Sequence, residues 1–312
     1  MRMPQAWQGR VRVPAIAAPM FLVSNPALVA ACCKAGVVGT FPALNQRTTA
    51  GFVAWLEELQ ATLSPADAPY GVNLVVHKTN RRLDADLAEV VRHKVPLVIT
   101  SLGAASEVVA AVHGYGGLVF HDVVNARHAE KAAKAGVDGL IPVAAGAGGH
   151  AGAINPFALV HEIRAGFDGY IALAGCIGNG SGVAAALALG ADFAYIGTRF
   201  IGTQEASVPD EYRQMLLEAR AADIVYTPHI SGVPASFLRQ SIVRAGLDPD
   251  RLQPKADVDI GEELSAGKAW RDIWSAGQGV GQIRDVPPAA ELCARLIAEY
   301  RQTCGRLAEA AG

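Results

Sequence analysis

The sequence predicts a closed (β/α)8 barrel, a TIM barrel, with a small, mainly helical segment inserted before its last helix. Short apolar, β-prone stretches alternate with helical patterns eight times in roughly the first 200 residues. This alternation then stops, and a long amphipathic pattern returns only after Pro287-Pro288. Continuous apolar strands separated by helices are typical of a parallel sheet covered on both faces. Eight such units match a closed barrel better than an open sheet.

The predicted strands follow recognisable helix ends. A glycine precedes several of them, as at Gly36, Gly136 and Gly190, where a left-handed backbone conformation would end a helix. Asn25-Pro26 predicts a helix start, because it offers a capping side chain and then proline at the first helical position. The eight predicted strands cover residues 15–18, 37–41, 70–76, 96–100, 117–120, 137–141, 170–174 and 191–196.

We place the barrel in residues 1–204 and 283–312, and the inserted segment in residues 205–282. Helical patterns in the inserted segment cover residues 212–222 and 235–245. The last barrel helix is expected over residues 289–307. A segment inserted here would cover the C-terminal face of the barrel, where active sites lie, so we expect it to act as a lid.

Composition excludes several classes of function. The formal net charge is -2 and no cluster of Lys and Arg stands out, which gives no electrostatic reason to expect binding to nucleic acid or to an anionic membrane. The N-terminus lacks the apolar core of a signal peptide, and no apolar run approaches the roughly 18 residues of a membrane span. We therefore expect a cytoplasmic protein. The five cysteines show neither a CxxC pair nor metal-ligand spacing, so no metal is expected.

A glycine-rich stretch, Gly146-Ala147-Gly148-Gly149-His150-Ala151-Gly152, follows the sixth predicted strand. Four glycines in seven residues disfavour a helix or strand interior, because glycine loses the most backbone entropy there. We predict a loop whose backbone can lie close to a ligand. His150 is the polar side chain of this loop and the candidate catalytic group; the alternative is an incidental histidine in a turn.

Two more glycine-rich loops follow the seventh and eighth predicted strands. The first contains Gly175-Cys176 and the second Gly197-Thr198-Arg199. In TIM barrels these two loops often bind a phosphate through main-chain N–H groups and a helix N-terminus. We expect Cys176 to contribute its backbone rather than its sulfur, and Arg199 either to add charge or to pair with a carboxylate at the rim. The position after the seventh strand disfavours a Rossmann dinucleotide motif.

The ends of the first and third predicted strands complete the candidate site. Ala18-Pro19-Met20 would leave main-chain groups exposed at the barrel mouth, and Asn73 is an amide that ends an apolar strand. Asn73 is either a turn former or a hydrogen-bonding partner for the edge of a ring. A flat ligand with a polar edge and a phosphate tail fits these groups, and flavin mononucleotide (FMN) is such a ligand.

These motifs, together with Trp274-Ser275-Ala276-Gly277-Gln278-Gly279, occur in an order along nearly the whole chain that resembles the nitronate monooxygenase family, formerly called 2-nitropropane dioxygenases. The resemblance implies an FMN-containing barrel with a small second domain. By that resemblance, the flavin ring would have Ala18, Pro19, Met20, Asn73, Gly148 and Gly149 around it, the phosphate would bind Gly175, Cys176, Gly197 and Thr198, and the histidine of the family falls on His150.

The resemblance also implies a reaction: oxidation of a small alkyl nitronate, or of the parent nitroalkane, by O2 to a carbonyl compound and nitrite. His150 would remove the α-proton of a neutral nitroalkane, since the ordinary pKa of histidine lies close to neutral pH. With a preformed nitronate it would instead help to bind the anion. A histidine tied to a loop carbonyl is the structural alternative. A homodimer is one arrangement compatible with the family.

The chain departs from its relatives after the fifth strand, where they have His-Lys, with the lysine near the pyrimidine end of the flavin, and this chain has His121-Asp122. Asp122 would bond a neighbouring backbone group, or accept from His121 or His150. Two other functions remain open: an NAD(P)H-dependent quinone or enoyl-thioester reductase on the same FMN barrel, and a flavin-free lyase or isomerase. The latter would need an acid/base pair or a Schiff-base lysine, for which Lys78 is the candidate.

Overall fold

The computed structural model describes residues 2–103, 106–253 and 268–311. Its centre is a closed barrel of eight parallel strands, which confirms the predicted fold class. The barrel closes where Ile16 on the first strand lies opposite Tyr195 on the last. Each predicted strand overlaps one barrel strand. The barrel strands are β1 (Ala15–Ala17), β2 (Val38–Pro42), β3 (Tyr70–Val75), β4 (Leu97–Ser101), β5 (Leu118–Val123), β6 (Gly139–Pro142), β8 (Tyr170–Ala174) and β9 (Phe193–Ile196).

The helices around the barrel begin and end as local chemistry predicts. The Asn25 side chain accepts a hydrogen bond from the Leu28 N–H, and proline follows it at the first helical position. Gly36 and Gly136 lie in the left-handed region just after two helices, with φ of 88° and 86°. The helices outside the inserted segment are α1 (Pro26–Lys34), α2 (Thr49–Thr62), α3 (Leu83–Arg92), α4 (Ser106–His113), α5 (Ala126–Lys134), α6 (Pro156–Arg164), α7 (Gly180–Ala188), α8 (Thr198–Ile201) and α12 (Ala289–Ala310).

Aromatic side chains fill the N-terminal end of the barrel. The Trp7 ring packs edge-on against Phe193, with 5.4 Å between the ring centroids, and also contacts Phe120. Because side chains alternate along a strand, Asp122 and Tyr195 point to the same interior, one layer nearer the carboxyl ends of the strands. Aromatic rings therefore close the barrel interior below, and Asp122 and Tyr195 lie above them.

The inserted segment contains helices α9 (Asp210–Glu218), α10 (Arg239–Arg244) and α11 (Lys268–Asp272), together with part of a second sheet. This sheet is antiparallel, in the order β10 (Ile224–Thr227), β11 (Ala235–Leu238), β7 (Gly149–His150). The helix predicted over residues 235–245 is wrong for its first four residues, which form β11. Their backbone pairs with β10 on one side and β7 on the other, and such non-local pairing leaves no signal in a helical pattern.

The same sheet also corrects the prediction that residues 146–152 contain no strand. His150 lies opposite Ala235, and Gly149 opposite Ser236. Two residues of the glycine-rich loop thus form an edge strand, because the inserted segment supplies the partner that the loop lacks locally.

Helix α12 returns to the barrel after the inserted segment. It begins at Ala289, as predicted, and extends to Ala310, three residues further than expected. It packs against α1 and α7, with Leu292, Cys293 and Leu296 buried. The domain boundaries at residues 205 and 282 stay a prediction. None of the helices in the described part of the chain has the length and apolarity that a membrane span requires.

Candidate active site

The carboxyl ends of the barrel strands surround a cavity of about 990 Å3. Ligand pockets usually span ~300–1,000 Å3, so this one can hold a cofactor and a substrate together. The residues that the sequence analysis selected come from five separate stretches of chain, and all of them line this cavity. They are Ala18, Pro19, Met20, Asn73, Gly148, Gly149, His150, Gly175, Cys176, Gly197 and Thr198.

Residues 274–279, whose role the sequence did not reveal, hold the glycine-rich loop in place. The Gln278 N–H donates to the Gly146 carbonyl over 2.8 Å. The Gly149 N–H donates to Ser275 Oγ over 2.7 Å, and the Ser275 hydroxyl in turn donates to the Ser236 carbonyl. Thr198 Oγ1 accepts from the Gly277 N–H over 2.9 Å. These bonds join the inserted segment to two loops of the barrel rim.

Close backbone approach explains the glycines in these two stretches. A Cβ on Gly148 would lie 2.8 Å from the Gly277 nitrogen, and a Cβ on Gly277 would lie 2.6 Å from the Gly146 oxygen. Real Cβ atoms do not come this close to backbone, so any side chain here would separate the two stretches. The glycine-rich loop thus has two roles: it packs against residues 274–279, and it lines the cavity.

His150 presents an accessible imidazole to the cavity. Its ring lies edge-on to Trp270, with 5.1 Å between centroids, and it makes no hydrogen bond to the described residues. The predicted alternative, a histidine tied to a loop carbonyl, is therefore not observed. Enclosure by the cavity walls disfavours the charged form and lowers the pKa of His150 to about 4. The imidazole is neutral at pH 7, and its pKa is not the ordinary one on which the sequence argument rested.

The loops after β8 and β9 bring unused main-chain donors to one side of the cavity. The N–H groups of Cys176, Ile177, Gly197 and Thr198 take part in no hydrogen bond within the described chain. Cys176 lies in the left-handed region with φ 58°, a conformation that helps to turn these donors inward. This concave set of donors can bind an anion.

Two groups expected at the phosphate site are used elsewhere. Arg199 is buried and pairs with Asp285 over 2.7 Å, so the rim-carboxylate alternative describes it correctly. At the N-terminus of α7, the Gly180 N–H donates to Glu299 and the Gly182 N–H donates to Asn179. Two N–H groups of that helix end are thus already used, which leaves the loop N–H groups as the main candidates to hold an anion.

Asn73 is buried at the end of β3, on the cavity wall. Its Nδ2 donates to the Ile99 carbonyl over 3.2 Å and lies 3.3 Å from Ser101 Oγ. These contacts fix the amide plane, so Asn73 can present a hydrogen-bonding group in a defined direction. It is not a turn former, because β3 continues to Val75.

Asp122 differs most from expectation. None of the predicted bonds forms, neither to backbone nor to His121 or His150, and Asp122 Oδ1 is buried without a partner among the described residues. Burial raises the pKa of Asp122 to about 7. The Nδ1 of His121 instead lies 2.7 Å from Thr100 Oγ1, and burial lowers the pKa of His121 to about 4.

Sequence reasoning missed Tyr195 and Ser275, which both line the cavity. Tyr195 carried a usable signal, because it lies two residues before Gly197 and alternation along a strand puts both on one face. Ser275 belongs to the motif of residues 274–279, but its contact with the cavity depends on the fold of the inserted segment and had no local signal. Lys78, the candidate for a lyase, is exposed and is not among the cavity residues.

Comparison with known proteins identifies the family. The family profile of nitronate monooxygenase matches residues 7–299. A nitronate monooxygenase of Paraburkholderia phytofirmans is 29% identical, with 94% of each chain covered. A Mycobacterium tuberculosis protein named (3aS,4S,5R,7aS)-5-hydroxy-7a-methyl-1-oxo-octahydro-1H-indene-4-carboxyl-CoA dehydrogenase is also 29% identical, over 87% of this chain and 70% of that protein.

Among solved structures, the nitroalkane oxidase of Streptomyces ansochromogenes superposes with a TM-score of 0.81 at 25% identity, covering 97% of this chain and all of that one. FabK from Thermotoga maritima shares the fold, with a TM-score of 0.80 at 24% identity over 96% of both chains. The match to the family profile extends from the aromatic plug at Trp7 into α12 and includes every loop of the cavity. The chain is therefore an oxidoreductase that belongs to the nitronate monooxygenase family.

Proposed function

We propose that this protein binds FMN in the barrel cavity and oxidises alkyl nitronates with O2 to a carbonyl compound and nitrite. The observation that carries the proposal is the convergence of His150, Asn73 and the two loops of unused N–H donors on one cavity. The family match and the likeness to a nitroalkane oxidase support the reaction class.

The residues of the cavity suit FMN. A Cβ on Gly197 would point into the space beside Ala18 and Met20 and would lie no closer than 3.7 Å to any atom. Packing of the protein therefore does not require a glycine here, whereas a ligand that fills this space would. The N–H groups of Cys176 and Gly197 would hold the phosphate. Asn73 and the unpartnered Asp122 Oδ1 offer hydrogen bonds to the polar edge of a ring.

When bound, the flavin would supply the electron transfer between substrate and oxygen. His150, neutral at pH 7, would accept the α-proton of a neutral nitroalkane on its free ring nitrogen. Trp270 packs edge-on against this imidazole on one side. A preformed nitronate needs no base, and for that substrate His150 would donate a hydrogen bond to a nitro oxygen.

We further propose that residues 205–282 act as a lid domain over this site. Pro234, Trp270 and Ser275 from that segment line the cavity, and β11 pairs directly with the strand that carries His150. Substrate and O2 would thus meet beneath the segment. We also propose that the protein works in the cytoplasm. We propose a homodimer as its oligomeric state, which the molecular mass from analytical ultracentrifugation would test.

A second candidate function is reduction of an enoyl thioester or a quinone with NAD(P)H on the same flavin. Two observations support this second candidate. One relative is named as a carboxyl-CoA dehydrogenase, and the cavity is larger than a small nitronate alone requires.

One experiment separates the two candidates. The visible spectrum of the purified protein reports a bound flavin, and released cofactor identifies FMN. Oxygen uptake and nitrite release with a nitronate are then compared with NAD(P)H oxidation in the presence of a quinone or an enoyl thioester. Turnover in the first assay alone supports the nitronate reaction, turnover in the second alone supports the reductase, and a protein that takes up no FMN contradicts both.

A further inference from the structure

Asp122 is an acidic side chain in the floor of the cavity for which the described structure supplies no counter-charge. It lies on the inner face of β5, one layer above the aromatic plug formed by Trp7, Phe120 and Phe193. Oδ1 has no hydrogen-bond donor within reach in the described chain. Leaving a buried polar atom unpaired is costly, so Asp122 Oδ1 needs a partner that the described chain does not supply, which is water in the empty cavity and a ligand in the filled one.

The groups around Asp122 do not favour a carboxylate. Burial is the sole cause of its raised pKa, and no cation offsets that effect. His121 and His150 are both neutral near pH 7, because burial of His121 and enclosure of His150 by the cavity walls lower each pKa to about 4. The Tyr195 hydroxyl stays protonated, since burial and the nearby Asp122 raise its pKa. The ionisable groups that share the barrel side of the cavity with Asp122 are His121, His128, Lys131, His150, Cys176 and Tyr195.

The chemistry of a flavin ring then decides which form of Asp122 it contacts. The polar edge of the ring carries four acceptors (N1, O2, O4 and N5) and a single donor, N3–H. A carboxylate can only accept, whereas a carboxylic acid can donate to any of the four acceptors. Ring entry also displaces water from Asp122, which disfavours the charged form further.

We propose that Asp122 is held in its acid form and donates a hydrogen bond to an acceptor on the polar edge of the bound flavin. This inference rests on the proposed FMN cofactor. In relatives the lysine at the position of Asp122 would bring a positive charge near the flavin. In this chain, protonated Asp122 would bring a neutral hydrogen-bond donor instead. Flavin binding is then linked to protonation of Asp122, and the affinity for FMN falls as Asp122 ionises in the apoprotein.

The test is a titration of apoprotein with FMN, followed by quenching of flavin fluorescence, between pH 7 and 8.5. In the wild type the Kd should rise on the order of tenfold over this range, because the apoprotein must regain a proton on binding. In Asp122→Asn, which keeps a donor and cannot ionise, the Kd should change less than about twofold. The range lies above the second pKa of a phosphate monoester, ~6, so the FMN phosphate contributes little.

Ser231→Ala is the matched control, since Ser231 is a neutral residue of the same cavity whose hydroxyl donates to the Val233 carbonyl, and the variant should keep the pH dependence of the wild type. His128, Lys131 and Cys176 are unchanged in both variants, so the difference between wild type and Asp122→Asn isolates Asp122. A second readout is the infrared C=O stretching band of a protonated carboxyl in the holoprotein at pH 7, which should be absent from Asp122→Asn.

The outcomes are distinct. Tight FMN binding with the same pH dependence in wild type and Asp122→Asn, or no protonated-carboxyl band, overturns this inference and leaves the cofactor proposal standing. Failure of the wild type to bind FMN at any pH overturns the cofactor proposal and this inference with it. Circular dichroism establishes that each variant is folded, and a flat wild-type titration is decisive even without a variant.

Discussion

His150 and Asp122 are two ionisable side chains of the cavity without a hydrogen-bond partner in the described chain, and desolvation by the cavity walls shifts their pKa values in opposite directions. It lowers the pKa of His150 to about 4 and raises that of Asp122 to about 7. A base and an acid are thereby both uncharged over a range below pH 7. A neutral imidazole can accept a proton but brings no positive charge to an anion, and the lowered pKa also makes it a weaker base. Only kinetics on both forms of the substrate separate the two roles.

We predict that His150→Asn lowers activity on neutral nitroalkanes by roughly 10²–10⁴-fold, the usual value of general-base catalysis, and largely spares activity on preformed nitronates. The measurement is steady-state oxygen consumption with each form of substrate, with FMN occupancy determined for every preparation. Equal losses on both forms, seen mainly as a higher KM for the nitronate, would show instead that His150 binds the anion.

The pH profile of the wild type provides an independent check. A base works only when unprotonated, and a lowered pKa extends the unprotonated form to lower pH. The value of kcat/KM for a neutral nitroalkane should therefore stay level from pH 8 down to about 5 and fall near pH 4. A fall near pH 6.5, the ordinary pKa of histidine, would mean that the cavity does not desolvate the imidazole.

Cys176→Ala should leave flavin content and turnover within about twofold of the wild type. Burial raises the pKa of the Cys176 thiol, so little nucleophilic thiolate is present at neutral pH, and the proposed phosphate contact uses the backbone. Cys304→Ala, a cysteine on α12, serves as the control. A large loss of turnover with FMN still bound would make the Cys176 sulfur a participant.

At the level of elements, the site depends on two glycine-containing stretches, residues 146–152 and 274–279, that lie backbone against backbone. We predict that Gly277→Ala destabilises the protein by about 1–3 kcal/mol, the usual cost of overpacking, and lowers FMN retention. Its Cβ would lie 2.6 Å from the Gly146 oxygen and 2.7 Å from the Gly148 nitrogen. Thermal unfolding and flavin content provide the measurement.

Gly166→Ala is the matched control for this prediction, because a Cβ on Gly166 meets no atom within 4 Å and φ is not positive there. It should leave both quantities unchanged. An unaltered midpoint and flavin content in Gly277→Ala would mean that the two stretches are apart in solution.

The sequence predicted the elements whose signals are local and missed those whose partners are distant. Asn25 caps α1 as predicted, because the capping side chain and the Leu28 N–H from which it accepts lie three residues apart. The pairing of β11 with Gly149–His150 spans more than eighty residues and has no local signal. The environment of Asp122 likewise could not be predicted from its sequence neighbours, because the absence of a donor near Oδ1 depends on the folded cavity.

At the scale of the whole molecule, the barrel and the inserted segment both contribute to the cavity walls, and hydrogen bonds of residues 274–279 connect them at the rim. A ligand in the cavity would contact both parts, so its binding should increase the free energy of unfolding of the entire chain. By mass action, FMN at 100 times its Kd would stabilise the folded state by about 2.7 kcal/mol, which is several degrees in Tm.

Gly197→Asp should abolish this gain while leaving the apoprotein intact. The added Cβ fits, at 3.7 Å from the nearest atom, and φ is negative, so neither packing nor strain opposes the change in the absence of ligand. The carboxylate would face the phosphate in a confined site, where like charges repel strongly. Differential scanning fluorimetry with and without FMN should show a rise in Tm for the wild type and none for Gly197→Asp, with equal Tm values for the two apoproteins. Gly197→Ala, which adds volume without charge, should lose only part of the rise. If FMN raised the Tm of Gly197→Asp as much as that of the wild type, the phosphate would have to bind away from the loops after β8 and β9.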